Sequence, residues 1–311
     1  MTKNNIANEP TWIEHAQELE GEGFARFHQG LSHYNSQRLT PSPTVDPSSS
    51  DLALDFAVAK AVRLHLASMQ RAIAPLVGRI PVDADGFIAW FEALRATGPG
   101  QGDPLFPWLA ASATPDEMKW FLLQEVAGEA GFDDLVAVTQ VKMPERAKLE
   151  MARNYWDEMG RGSSKGMHGP MLERLAGYFA LHPTPDNVIP EALALGNVMV
   201  ALAFDRHFAF HSVGALGVIE MTAPTRAGHV DKGLRRLGVP GKQRHYFALH
   251  SILDVKHSQA WNAEVLRPLV EEDPRRARAI GEGAVMRLWL GARCFRRYRA
   301  YFGLGLEKLA A

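Results

Sequence analysis

The chain has 311 residues, 46% of them apolar, which is enough to bury the core of one large domain or of two. Its 34 basic and 35 acidic side chains leave a net charge of −1, which excludes the electrostatic footprint of a nucleic-acid or anionic-membrane binder and points to a small-molecule partner. A single cysteine, Cys294, excludes an internal disulfide, a thiolate zinc site and an iron–sulfur cluster, and fits a reducing compartment.

The N-terminus, MTKNNIANEP, is polar and does not read as a signal peptide, so a cytoplasmic protein is expected. Apolar residues then recur with the helical period almost throughout, and alternating β-type runs are few, so the fold is expected to be all-α. Residues 12–38 predict a helix interrupted near Gly21 and Gly23. The Pro/Ser loop LTPSPTVDPSSSD follows and sets an N-terminal arm (1–50) apart from a helical body (51–311). Trp12 on that arm is expected to be exposed, at a homodimer contact. Helices over 52–77 and 84–96 precede a breaker-rich connection, GPGQGDPLFPW.

Thr114-Pro115-Asp116-Glu117 carries a threonine cap, a proline at the first helical position and a glutamate three residues after the cap, so a helix starts there and is expected to run to about 141. Further helices are predicted over about 145–159, 167–181, 187–221 with an irregularity near Gly214 and Gly217, 226–237, 243–270 and 274–302. Residues 192–204 are the most apolar stretch. They are too few to cross a membrane and are interrupted by Asn197, so they predict a buried helix. This many helices cannot lie in one ring, and a layered bundle of seven or more is expected.

One helix carries unusual chemistry. In RHYFALHSILDVKHSQAW, residues His250, Asp254 and His257 stand at i, i+4 and i+7, which turns all three toward one side. An isolated histidine on a helix is ordinarily a packed or surface residue. Two imidazoles and a carboxylate inside a stripe that includes Phe247 and Trp261 need partners, either each other or a metal. Other helices offer carboxylates in the same setting. Glu125 falls in a stripe with Phe121, Gly128 and Phe132. Glu158 shares a side with Met151 and Tyr155, and the glycine-rich turn GRGSSKG returns the chain to His168. Glu220 lies in a stripe with Val213 and Leu216, beside the small residues Gly214 and Gly217.

Glu125, Glu158, Glu220 and Asp254 together carry −4, which two divalent ions would neutralise in the presence of three neutral histidines. Imidazole and carboxylate ligands without thiolate suit iron or manganese. The common di-iron carboxylate bundle uses a Glu-x-x-His pair on each of two helices, and no such pair occurs here, so a different helical scaffold is required.

Four segments, LLQEVAGEAGFDDL, NYWDEMGRGSSKGMHGPML, GALGVIE and HSILDVKH, resemble the core helices of the haem-oxygenase-like non-haem di-iron oxidases and oxygenases, also called iron-containing redox enzymes. The resemblance spans residues 122–257. It implies a haem-oxygenase-like helical bundle, with its di-iron core over 114–271, preceded by an additional N-terminal helical region. It also implies two iron ions without haem and O2 as co-substrate. The metal ligands it implies are Glu125, His168, Glu220, His250, Asp254 and His257, with Glu158 as an additional carboxylate. Glu129, one turn beyond Glu125, is an alternative for the first position.

Members of this family oxidise small amines, amino acids or fatty acids. The additional carboxylate at Glu158 resembles the N-oxygenating members, which implies oxygenation of an amine to a hydroxylamine, nitroso or nitro product in a biosynthetic pathway. The substrate would be a small amine or amino acid, free or tethered to a carrier protein, and an external electron donor would return the irons to the ferrous state. The alternative on the same scaffold is oxidative C–C cleavage of an amino acid or fatty acid. An alternative of another class is a metal-free helical protein that binds a small molecule, or a hydrolase using a cysteine nucleophile, for which Cys294 lies outside the four segments. His207 and His211 are expected to line the substrate pocket. The arginines of RRARAI and RCFRRYRAY are expected to form a solvated face, with a substrate clamp by Arg293 or Arg297 as the lesser reading.

Overall fold

A computed structural model describes residues 10–41, 43, 49–128 and 131–305. Its elements are helical, and among the described residues the only extended pairing is a single bridge between Met159 and Met167. Part of the Pro/Ser loop and the alternative ligand Glu129 lie outside the described residues.

The organising element is α10 (Ala209–Arg236), which packs against α11 (His245–Ala260), α13 (Arg276–Tyr301), α4 (Leu105–Ala111) and α9 (Pro190–Phe204). Its buried positions include Val213, Leu216, Glu220, Ala227, Val230 and Leu234, an apolar stripe carrying one carboxylate. Fully burying each large aliphatic or aromatic side chain of such a stripe contributes roughly 1.5–3 kcal/mol before entropy is charged against it.

Gly214 and Gly217 do not interrupt this helix, contrary to the expected irregularity. They are the points of closest approach to its neighbours. A Cβ at Gly214 would fall 1.8 Å from the Ile280 carbonyl oxygen of α13, and one at Gly283 would fall 1.9 Å from that of His211. Gly217 makes room for Trp261, whose indole N–H donates to the Val213 carbonyl at 3.3 Å. The chain instead breaks at Asp205, which is extended, accepts from the His207 amide at 3.1 Å and pairs with Arg63 at 2.6 Å. Nor does the helix end before residue 226. Pro224 lies inside α10, where its missing N–H leaves the Glu220 carbonyl without the usual helical partner.

The helix expected from Pro115 to about 141 is two, α5 (Pro115–Gly128) and α6 (Phe132–Thr139), divided at Gly131 with φ +69°. Its start is as the sequence indicates: the Thr114 amide donates to the Glu117 carboxylate at 2.7 Å, and the Glu117 amide donates to the Thr114 hydroxyl at 3.3 Å. α7 (Glu145–Glu158) and α8 (His168–Tyr178) follow. The connection GPGQGDPLFPW contains α4, whose first turn is held by the Asp103 carboxylate accepting from the Leu105 amide at 3.0 Å. The helix that begins as α11 runs through a π-helical stretch, Trp261–Leu266, into α12 (Arg267–Glu272).

The N-terminal arm folds against the body. Trp12 is partly buried, not exposed, and packs on Phe27 of α1 (Gly21–Leu39) at a ring separation of 5.9 Å. The break preceding α1 lies over residues 16–20 rather than at Gly21 and Gly23. α1 lies on α9, where Asn197 is the tie: it accepts from Asn35 at 3.0 Å and donates to the His28 carbonyl at 2.9 Å. Arg293 belongs to this junction and not to a solvated face. It is buried, bonds the Leu19 carbonyl and lies over the rings of Phe24 and Trp289. α9 is buried along most of its length, and no single helix among the described residues is long and apolar enough to cross a membrane.

Candidate metal centre

Five of the expected ligands converge. Two groups of potential ligand atoms form, one from Glu158, His168 and His250 and one from Glu158, Glu220 and His257, and within each group the atoms lie within 4.8 Å of one another. Glu158 belongs to both. The i, i+4, i+7 comb of α11 therefore serves two points rather than one: His250 faces the first and His257 the second, two helical turns or about 10 Å further along the axis. Asp254, buried between them, borders the same cavity but belongs to neither group.

The glycine turn after α7 builds the first group. Gly160 adopts φ +59° and the backbone closes with the Met159–Met167 bridge, so that the Glu158 carboxylate and the His168 Nδ1 at the start of α8 meet at 2.7 Å. The His250 ring stands edge-on to that of His168, with centroids 4.7 Å apart. His250 Nδ1–H donates to the Tyr246 carbonyl at 2.7 Å, which fixes the tautomer and leaves Nε2 with the lone pair a ligand needs. Burial, with help from the neighbouring His168, lowers its pKa to about 4, so the ring is neutral at physiological pH.

In the second group Glu220 is held by Asn154, whose amide donates to Oε1 at 2.6 Å. Its other oxygen lies 3.5 Å from His257 Nδ1, the spacing of an ion pair rather than of a formed hydrogen bond. The other ring nitrogen, Nε2, donates to Asp157 at 3.2 Å, and Asp157 in turn accepts from Arg161 at 2.6 Å. Burial disfavours the imidazolium, yet Glu220 and then Asp157 outweigh it and raise the His257 pKa to about 9. Both ring nitrogens of His257 thus face buried or half-buried carboxylates, and this hard oxygen and nitrogen donor set lacking thiolate fits an iron site. Asn154 and Asp157 were not singled out from the sequence. The visible signal was their position, four residues and one residue before Glu158 in NYWDE.

Glu125 is placed differently. It lines the same cavity of about 100 Å3 as Glu158, Glu220, His250 and Asp254, but joins neither ligand group. The Tyr298 hydroxyl donates to it at 3.4 Å, and burial raises its pKa although Arg226 and Arg287 oppose that shift. Cys294 lies close by, not apart from the core. It is fully buried and burial pushes its thiol pKa up, which is the opposite of what a nucleophilic cysteine requires.

His207 and His211 do not border this cavity. His207 is exposed, within bonding distance of Asp205 and Arg63 at 3.0 and 2.9 Å, on a separate groove beside α1 and α9. His211 is buried against Glu282 at 3.3 Å and Gln70 at 3.4 Å. His207 Nδ1 and His211 Nε2 thus have polar partners outside the cavity.

No curated protein matches the chain. Residues 119–292, however, match the sequence profile of a family described as iron-containing redox enzyme, of haem-oxygenase-like fold. That interval contains all five convergent candidate side chains, from Glu158 on α7 to His257 on α11, together with the helices that position them, and the chain belongs to the iron-containing redox enzyme family.

Proposed function

We propose that this iron-containing oxidoreductase holds two iron ions without haem, activates O2 and oxygenates the nitrogen of a small amine or amino-acid-derived substrate. The observation that carries the reading is the pair of ligand groups sharing Glu158, since one carboxylate common to two sets of imidazole and carboxylate donors is what a two-metal site requires. Two ferrous ions, when bound, would supply the electrons that activate O2 for transfer of oxygen to the substrate, and an external donor would restore them.

The protein's own contribution is positional. Glu158 spans the two groups, His168 and His250 serve one, and Glu220 and His257 serve the other. Neutral His250 presents Nε2, whereas His257 must release its Nδ1 proton before that nitrogen can bind a cation. Asp157 retains the proton on His257 Nε2, and Asn154 fixes the rotamer of Glu220. Phe132, Leu172 and Phe247 wall the cavity with apolar surface and exclude bulk water from the reacting group.

The test is anaerobic loading of the full chain with Fe(II), an iron count, and exposure to labelled O2 with a panel of amines and amino acids. Two irons per chain and label on the product nitrogen are expected. Release of a shortened carbon product with unlabelled nitrogen would replace N-oxygenation by C–C cleavage, and a chain that takes up no iron would overturn the reading altogether.

A further inference from the structure

The cavity is lined by Glu158, Glu220, His250 and Asp254 and by Glu125, Arg226 and Arg287, with Phe106, Leu172 and Val230 among its apolar wall. The last three charged residues also line an adjoining pocket that the first four do not border, which sets the two groups toward different ends. Glu220 and Arg226 are both on α10, six residues apart, a rise of about 9 Å along the helix.

Arg226 is the anomaly. Its guanidinium carries five N–H donors, yet among the described residues it makes neither a hydrogen bond nor an ion pair. It stacks 5.6 Å above the Phe295 ring and lies within the attraction of Glu125 and the repulsion of Arg287. Arg226 and Arg287 both act on the Glu125 carboxylate from this side of the cavity. Arg226 is partly buried and opens onto the cavity, where a bound ligand can supply acceptors to its N–H donors. A planar guanidinium on the wall of the cavity matches a carboxylate, which can accept two parallel N–H bonds.

We propose that Arg226, with Arg287 beside it, binds the carboxylate of the substrate at the end of the cavity remote from the metal ligands, leaving the opposite end of the substrate at Glu158 and His250. The substrate class is then a zwitterionic amino acid whose reacting amine is separated from its carboxylate by a short carbon chain. This inference rests on the amine-oxygenating reading of the site and sharpens it. Oxidative loss of the carboxyl group would need that group at the metal ligands, which is the end Arg226 does not serve.

The test is calorimetric binding of 4-aminobutanoate and 6-aminohexanoate, against their carboxamides, to the full chain loaded anaerobically with Fe(II), with iron counted in every sample. The wild type is expected to bind at least one acid about tenfold or more tightly than its amide, from the charge-assisted contact. Arg226→Gln is expected to abolish that preference, and Arg226→Lys to keep part of it, with iron content unchanged in both. Lack of binding by every probe, equal binding of acid and amide by the wild type, or full preference retained in Arg226→Gln would overturn the proposal. The last result would place the carboxylate on the metals. If Arg226→Gln does not fold, full preference in a folded Arg226→Lys would count the same way. The two readings fail separately. A chain that binds no iron but still shows Arg226-dependent preference for the acid loses the oxygenase reading alone, and a two-iron chain without that preference loses only the carboxylate subsite.

Discussion

The Glu158 carboxylate and the His168 imidazole meet at 2.7 Å across a turn that reverses the chain between α7 and α8. Gly160 makes that turn possible. Its φ is +59°, and a Cβ there would lie 2.3 Å from the backbone carbon of Gly166, which cannot move aside as a flexible side chain could. Gly160→Ala therefore combines a left-handed alanine, about 1–2 kcal/mol, with a backbone clash. It is expected to lower the melting temperature and to reduce iron uptake. Gly177→Ala on α8, where a Cβ meets nothing within 4 Å, serves as the control and is expected to leave iron content at the wild-type level. Normal iron loading in Gly160→Ala would show that the turn does not set the ligand pair.

The shared position of Glu158 makes a prediction about stoichiometry. Removing His168 or His257 deletes a donor from one group, whereas removing Glu158 deletes one from both. Glu158→Ala is expected to lose both irons, and His168→Ala and His257→Ala are expected to keep about one each. Metal counts on protein loaded under identical anaerobic conditions distinguish the cases. If Glu158→Ala binds as much iron as His257→Ala, the two groups do not share that carboxylate.

The comb of His250, Asp254 and His257 was legible in the sequence because helical geometry alone decides which side of α11 those residues occupy. The division of the comb between two points was not, since that depends on where Glu158 and Glu220 arrive from other helices. The same holds for the breaks. Gly214 and Gly217 read as interruptions because glycine weakens an isolated helix, and only the contact with α13 and Trp261 shows that they are packing sites. Gly131 does break its helix, but nothing local distinguishes it from them until its φ of +69° is seen. His207 and His211 looked like a pocket pair by spacing, and their carboxylate partners, Asp205 and Glu282, explain them without a ligand. Arg226 escaped notice because one arginine in a helix is unremarkable until its surroundings are known to contain no hydrogen-bonded acceptor.

The histidines predict opposite pH effects on the metal-free protein. His257 is raised from its ordinary 6.5 to about 9, so the stability it contributes is complete below 6.5 and is lost as the pH rises through 9. His250 is lowered to about 4, so its contribution is complete above 6.5 and is lost as the pH falls toward 4. Maximum stability is expected near pH 6.5. Melting curves of metal-free protein from pH 4 to 9.5 check this, and His257→Gln is expected to flatten the alkaline limb only. Iron loading should also flatten that limb and release a proton near pH 7.5, measurable by calorimetry in buffers of different ionisation enthalpy. An alkaline limb equally steep in His257→Gln would assign it to another group.

Asp157 supplies a sharper test of how the second ligand group is held. It accepts from His257 Nε2 at 3.2 Å and is itself oriented by Arg161 at 2.6 Å, so it determines which imidazole nitrogen is left to face Glu220. Asp157→Asn preserves the shape but removes the charge and one acceptor oxygen, which weakens the hold on that tautomer. Loss of such an outer partner typically costs about 10–100-fold in metal affinity. The expected result is therefore selective: the iron bound through Glu220 and His257 weakens by about that factor, while the iron bound through His168 and His250 is unaffected. Competition against a chelator resolves the two affinities, and equal weakening of both, or of neither, would show that Asp157 is not what sets the orientation of His257.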